Sequence, residues 1–364
     1  MEDSLLILFF TAFAIQGIYF LFIFPSVLFH KNNTTSPLKG ITVVIAAHNE
    51  KKNLQKLVPL LLKQNYPDFE IIIADDRSSD GTADFLSSVH DPRLKMIRID
   101  KVPEDYNSKK FALKEAIKKS SKELLLLTDA DCFPVSEHWI GKMGEKFHPG
   151  KEIVLGYSPY QTENGFLNLF IRFESFFTGI QYLSFACIGS PYMGVGRNLA
   201  YSKSLFSQHG FEKIKTITGG DDDLLIGSIA TGKNTTICLD REAFVYSVPQ
   251  KTFLDFFRQK KRHLGVGTRY SLANKIKTGF IPASQFLLYF SFIALIFSNV
   301  AFWAIIPIFI LRTLVIIVIF VLIARKLGEA INWFWFPVLD LSYLIYYIVI
   351  GIPAAFTRNK IKWK

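Results

Sequence analysis

An α/β fold, a doubly wound and mainly parallel sheet carried by membrane helices, is predicted by three observations on the 364-residue chain. Between residues 41 and 128, short β-branched or leucine-rich runs alternate with helical stretches, the pattern of strand–helix–strand units. Carboxylates gather where those runs end, at Asp75-Asp76 and Asp129-Ala-Asp131, although the formal net charge is +11. Apolar stretches long enough to cross a bilayer flank this region on both sides.

The elements follow in order. Leu5 to Phe29 is almost uninterrupted apolar sequence, with Gln16 its one strongly polar residue, and exceeds the roughly 20 residues that span a bilayer. Residues 1–30 are therefore expected to form a membrane helix. A cleaved signal peptide fits less well: the segment opens Met-Glu-Asp without basic residues, is too long for a signal core, and lacks a small-x-small site before His30-Lys31.

After the turn-like Pro37 to Gly40, Ile41-Thr-Val-Val-Ile-Ala reads as a buried strand that stops at His48-Asn49-Glu50, where a helix runs on through Leu62. Phe69 to Ala74 is the second strand, ending at Asp75-Asp76, and Ser78-Ser-Asp-Gly-Thr82 caps the next helix. Leu94 to Ile99 is a third strand, Ser108 to Lys119 a helix, and Glu123 to Thr128 a fourth strand ending at Asp129. Sheets of this kind bind ligands beyond the carboxyl ends of their strands, where these acids lie. The second half is less regular. The Phe-rich segment Phe166 to Ile188 is expected against the domain or the bilayer surface, and Gly194 to Tyr201 begins another strand-like element. The soluble part is placed at residues 31–278.

From Ile281 to Phe320 an apolar block has room for two spans, with a break near Ser298-Asn299, and Ile331 to Phe356 supplies a third. Residues 279–357 are thus a C-terminal membrane region and residues 358–364 a basic tail. Basic flanks at Lys31, Lys39, Lys275, Lys277, Arg325 and Lys326 favour a multi-pass protein of the cell (inner or plasma) membrane with its soluble domain in the cytoplasm. Four spans from an outside N-terminus would leave the basic tail outside. Either one C-terminal segment is re-entrant or interfacial, or the tail breaks the rule. Asp340, costly in hydrocarbon, is a functional candidate or sits at the interface near Pro337.

Composition narrows the function classes. Cys132, Cys187 and Cys238 have the spacing of neither a zinc site nor a disulfide framework and read as reduced packing residues. The lysines scatter without a nucleic-acid module, so nucleic acid is not an expected partner; anionic lipid headgroups and phosphorylated substrates account for the charge. An Asp-x-Asp closing a buried strand lets a hard divalent cation bridge two carboxylates to a diphosphate, although an Asp turn capping the next segment has the same pattern. Asp75-Asp76 also reads as a helix cap, and Asp221-Asp222-Asp223 as acids at a helix N-terminus.

Five motifs in order resemble the family 2 glycosyltransferases of the GT-A fold: Val43-Val-Ile-Ala-Ala-His-Asn49-Glu50, Asp75-Asp-Arg-Ser-Ser-Asp-Gly-Thr82, Thr128-Asp-Ala-Asp131, Gly220-Asp-Asp-Asp-Leu224 and Gln259-Lys-Lys-Arg262-His263. The resemblance covers about Ile41 to Gly267. It implies a nucleotide-diphosphate-sugar donor, with Asn49 and Glu50 near the nucleotide, Asp76 on the base or ribose, and Lys109 against the nucleotide. It also implies Mg2+ or Mn2+, with Asp129 by the ribose and metal and Asp131 the principal ligand. Alignment on Asp223-Leu224 makes Asp221 the general base and implies inversion; Gly220 replaces the family's preceding glutamate, which leaves Asp222 as a competitor. Gln259 and Arg262 would contact the diphosphate. His263 stands where the family has a tryptophan stacked on the acceptor sugar, which counts against a processive synthase. Lys260 and Lys261 also read as a basic face against anionic lipid. Arg197 and Asn198 resemble the segment lining the acceptor side.

The implied activity is transfer of a sugar, foremost from a UDP-sugar, to a lipid-linked or membrane-proximal acceptor in glycolipid or envelope glycan synthesis. A processive polysaccharide synthase is the alternative enzyme, and a non-catalytic sugar-nucleotide sensor or scaffold the alternative of another class.

Overall fold

The structure is a computed structural model that describes residues 2–31, 39–298, 300 and 302–356. Its strands are β1 (Ile41–Ala47), β2 (Phe69–Asp76), β3 (Leu94–Ile99), β4 (Leu124–Leu127), β5 (Cys132–Pro134), β6 (Ile153–Gly156), β7 (Leu199–Ser202), β8 (Thr235–Cys238) and β9 (Val245–Ser247). Seven form one sheet in the order β3-β2-β1-β4-β7-β6-β8, while β5 and β9 pair separately. The pairs β1–β2, β2–β3, β1–β4 and β6–β8 are parallel. β7 runs antiparallel to both β4 and β6. The mainly parallel sheet expected from the sequence is therefore present, with one reversed strand that the alternating pattern did not signal.

The soluble helices are α2 (Lys51–Leu62), α3 (Thr82–Ser87), α4 (Ser108–Lys119), α5 (Trp139–Gly144), α6 (Phe166–Cys187), α7 (Lys203–His209), α8 (Asp223–Ile229) and α9 (Phe253–Gly267), preceded by α1 (Glu2–Phe29). Every residue of β1 and β2 is buried, without the alternation of a half-solvated strand. Successive side chains leave a strand on opposite faces, and here each face meets its own core. Val43, Ile45, Ile71 and Leu126 pack with Leu54, Leu57 and Trp139 on one side. Val44, Ile72, Leu125 and Leu127 pack with Ala112 and Ile117 on the other, in a core that extends to Phe173, Phe177 and Phe320. The Phe-rich segment is thus α6, wedged between the sheet and the apolar helices, with Phe177 4.8 Å from Tyr343 and 5.3 Å from Phe320.

Among the described residues four helices are long and apolar enough to cross a membrane: α1, α10 (Leu272–Phe297), α11 (Phe302–Leu327) and α12 (Trp333–Phe356). The expected break falls between α10 and α11; Asn299, the tail at 358–364 and Pro37 lie outside the described residues. α10 starts at Leu272, earlier than the boundary expected at residue 279, with Ser271 capping it through a bond from the Asn274 amide. Asp340 is buried within the protein. Its carboxylate pairs with Arg312 and accepts hydrogen bonds from Gln285 Nε2 at 2.8 Å and Tyr289 Oη at 2.9 Å, while Arg312 Nε donates to Gln16 Oε1 at 2.7 Å. This network ties all four apolar helices together and supplies the partners that a charge in hydrocarbon requires.

Candidate active site

The sheet order reverses at the β1–β4 pair: β2 and β3 lie on one side of it, β7, β6 and β8 on the other. A crevice forms beyond the carboxyl ends of strands at such a point. The cleft found there has a volume of about 1120 Å³, and Glu50 and Asp129, just past β1 and β4, stand in its wall. Asp131, Lys109, Arg197, Asp221 and Asp222 join them, and α9 adds Gln259, Arg262 and His263. Residues far apart in sequence thus converge because the strand ends, the start of α8 and one face of α9 meet across a single opening.

Lys109 is the electrostatic centre. Its Nζ donates to Asp129 Oδ1 at 2.8 Å and lies 3.1 Å from Asp221 Oδ2, so one cation bridges the Asp-x-Asp and the Asp-Asp-Asp motifs. Burial would lower its pKa, but Asp129 and Asp221 hold it well above the ordinary lysine value. The three consecutive aspartates differ sharply. Asp222 accepts the Gly196 amide at 2.7 Å and the Asp223 amide at 2.8 Å, and Asp223 accepts the Tyr270 hydroxyl at 2.9 Å and the Leu224 amide at 2.8 Å. Asp221 is held by Lys109. Burial alone would raise Asp221, yet Lys109 and Lys110 outweigh it and lower its pKa. Burial and Asp221 raise Asp222, and burial and Asp222 push Asp223 up to about 8. Opposed shifts of this kind favour the charged form at Asp221 and disfavour it at its two neighbours.

Lys110, adjacent to the lysine singled out by the motif, is fully buried; its Nζ donates to the carbonyls of Ile217 and Gly219, both at 2.5 Å. It fastens the loop that delivers Asp221, where Gly219 and Gly220 both adopt positive φ. Sequence reasoning passed over it because a second lysine in Ser-Lys-Lys has no distinguishing spacing. Tyr270, which holds Asp223, was missed for the same want of a signal.

Oxygen ligands of Asp129 and Asp131 lie within 4.8 Å of each other and of the Cys132 sulfur. Burial and the charge of Asp129 raise the Asp131 pKa. A divalent cation with oxygen preference fits this pair, because it would relieve their repulsion; the Cys132 thiol lies 3.4 Å from Asp131 Oδ1 and 2.9 Å from Ser247 Oγ, with burial raising its pKa well above the ordinary value. Two further polar atoms in the cleft walls, Arg197 Nη1 and Gln259 Oε1, are buried without a protein hydrogen bond among the described residues. Such groups are costly unless a ligand or water pairs them. His263 lines the cleft with its side chain exposed; desolvation there, then Lys260 and Arg262, lower its imidazole pKa.

Three expected site residues do not line the cleft. Asn198 is fully buried, bonding Trp139 Nε1 through Oδ1 at 3.0 Å and the carbonyls of Tyr157 and Ala243 through Nδ2, so the acceptor-side expectation is corrected to a core role. Asn49 turns its Oδ1 to the Ser79 amide at 2.8 Å and braces the loop after β2. Asp76, one strand over, is clamped by Arg77 Nε at 2.7 Å. Lys260 is corrected as well: it is buried against Glu174 and is not part of a lipid-facing surface, while Lys261 is half exposed.

The sequence profile for glycosyl transferase family 2 matches residues 42–210, and that for glycosyl transferase family group 2 matches residues 127–355, more than half the chain. The chain is a family 2 glycosyltransferase. The glycosyltransferase is 33% identical over 97 residues to the poly-β-1,6-N-acetyl-D-glucosamine synthase of Staphylococcus epidermidis, over 26% of this chain and 22% of that protein. It is 28% identical over 130 residues to the UDP-Glc:α-D-GlcNAc-diphosphoundecaprenol β-1,3-glucosyltransferase WfaP of Escherichia coli, over 35% of this chain and 48% of WfaP. The matches therefore span less than half of either relative. Among solved structures, the mannosyltransferase PcManGT of Pyrobaculum calidifontis, in complex with GDP-Man and Mn2+, aligns with a TM-score of 0.63 at 15% identity, over 96% of this chain and 98% of that one. The GT-A fold of this glycosyltransferase is shared across that alignment.

Proposed function

We propose that this glycosyltransferase moves a sugar from a nucleotide-diphosphate donor to a lipid-linked acceptor, with inversion at the anomeric carbon. The observation that carries the acceptor reading is the course of the cleft. It runs from Asp131 and Asp221 to Pro282 and Phe286 of α10 and to Ile348 and Ile352 of α12, so a polar reaction centre shares one opening with apolar helices. An acceptor with a polar head and a hydrocarbon tail fits both ends. WfaP, whose acceptor carries a diphosphoundecaprenol, supports the same reading, and its UDP-Glc donor supports a UDP-sugar here.

In this reading the nucleoside lies over the ends of β1 and β2, near Glu50 and Asp76, and the diphosphate lies between Lys109 and the α9 residues Gln259 and Arg262. Arg197 offers its unpaired Nη1 to the same charge. Mg2+ or Mn2+, held by Asp129 and Asp131, would neutralise charge on the leaving diphosphate. Asp221 takes the proton of the acceptor hydroxyl, whose oxygen forms the new bond to the anomeric carbon as the bond to the diphosphate breaks on the opposite face. Asp222 is the weaker candidate for base because both its oxygens already accept backbone amides. The catalytic domain is placed at residues 31–278 on the cytoplasmic side of the cell membrane, and the basic flanks of the spans support that side.

Nucleotide release by the purified protein, with and without Mn2+ or Mg2+, tests the mechanism. Turnover is expected to require the metal and to be lost in Asp131→Ala; full activity in that variant would sink it. A polymer-extending synthase is favoured by the local similarity to the staphylococcal enzyme, and sizing the product distinguishes the two, since a single added sugar excludes it.

A further inference from the structure

One face of α6 contradicts the rest of the helix. Phe170, Phe173, Phe176, Phe177 and Ile180 are buried in the core, whereas Glu174, Ser175, Thr178, Gly179, Gln181 and Tyr182 line the cleft. These six recur at helical spacing and form one stripe about two turns long. Polar groups set into so apolar a helix are costly to bury unless something polar meets them. The opposite walls are Tyr346 and Tyr347 of α12 and Lys260 of α9.

The chemistry of this chamber is specific. Lys260 pairs with Glu174, which also accepts the Tyr346 hydroxyl at 3.3 Å, so the charges of these two residues cancel. What remains is hydroxyl, amide and aromatic surface. Gln181 Nε2 reaches the Tyr343 hydroxyl at 3.3 Å, and the Tyr182 hydroxyl donates to the Gly156 carbonyl at 2.7 Å, which fixes both side chains in the wall. A phosphate beside the stripe would find Lys260 already paired, whereas a neutral sugar finds hydrogen-bonding groups and ring faces. The cleft volume of about 1120 Å³ also lies above the roughly 300–1,000 Å³ of ordinary ligand pockets. α9 lines the cleft with Gln259 and Arg262, and with Lys260 between them held on Glu174 of the stripe.

We propose that the α6 stripe is a glycan-binding subsite, so that the acceptor is an uncharged oligosaccharide carried on a lipid rather than a bare lipid phosphate. The inference rests on the transfer reading above and narrows its acceptor. The test uses full-length protein in nanodiscs, with labelled UDP-sugars and three acceptor probes: a total membrane-lipid extract of the source cell, the same extract after periodate cleavage of its vicinal diols, and undecaprenyl phosphate. The untreated extract is expected to accept sugar and the other two to fail. Gln181→Leu and Thr178→Val should each raise the apparent KM for the extract about tenfold, the size of one or two lost hydrogen bonds, while acceptor-free donor hydrolysis stays at the wild-type rate. That hydrolysis also reports folding. Equal transfer to undecaprenyl phosphate or to periodate-treated extract, or an unchanged KM in both variants, overturns the subsite and leaves the transfer reading standing. Absence of any metal-dependent donor breakdown by the wild type overturns the transfer reading itself.

Discussion

Asp221 and Asp222 are neighbours in sequence and opposites in environment. The first faces a lysine cation at 3.1 Å, whereas both carboxylate oxygens of the second already accept backbone amides, which favours the first for an incoming hydroxyl. Asp221→Asn is expected to cut kcat by about 10²–10⁴, the usual contribution of general-base catalysis, with donor affinity kept. Asp222→Asn should disturb the Gly196 contact and cost less; single-turnover kinetics giving the reverse order would reassign the base. Asp223 gives a pH signature. Its folded pKa of about 8 exceeds the ordinary carboxylate value near 4, so the native state holds an extra proton between them and stability falls as pH rises through that window. Thermal unfolding in detergent from pH 4 to pH 8 should show this decline, and Asp223→Asn should flatten it.

At the scale of elements, the loop from α7 to α8 is set by α4. Asn107 Oδ1 caps α4 through the Lys110 amide, and the Asn107 amide donates to the Lys215 carbonyl at 2.6 Å. Lys110 then grips Ile217 and Gly219, so the helix start and the Asp221 loop move as one. Lys110→Met leaves those carbonyls without their buried donor, a loss of about 1–3 kcal/mol. It should lower the melting temperature and kcat together; a variant that keeps wild-type kcat would show that the loop holds itself. β1 to β4, α2 and α4 were legible from alternating apolar runs and caps. Of the later strands only β7 was signalled, by the strand-like run that begins at Gly194; β5, β6, β8 and β9 were not, because strands of three or four residues carry too little periodicity to stand out.

Across the whole molecule, the Arg312–Asp340 pair joins the apolar helices into one bundle with Gln16, Gln285 and Tyr289. Removing one partner strands a buried charge, so Arg312→Leu or Asp340→Leu alone should destabilise by about 3–5 kcal/mol, while the double variant should recover much of that loss. Thermal unfolding of all three in one detergent checks this; additive losses would mean that the two residues do not act as a pair. The cleft draws on the same bundle, because Tyr346 of α12 donates to Glu174 in its wall.

By itself the sequence determined the class of the sheet, the four apolar segments, and the ordered acids and Gln-x-x-Arg motif that mark the family, because these signals are local: runs, spacings and caps within a few residues. The tertiary structure decided which polar residues share the cleft. It withdrew Asn198 into the core and Lys260 into an ion pair, separated Asp221 from its two neighbours, and added Lys110 and the polar face of α6. Those outcomes depend on which wall a side chain meets, and the wall comes from elements some 40 to 110 residues away.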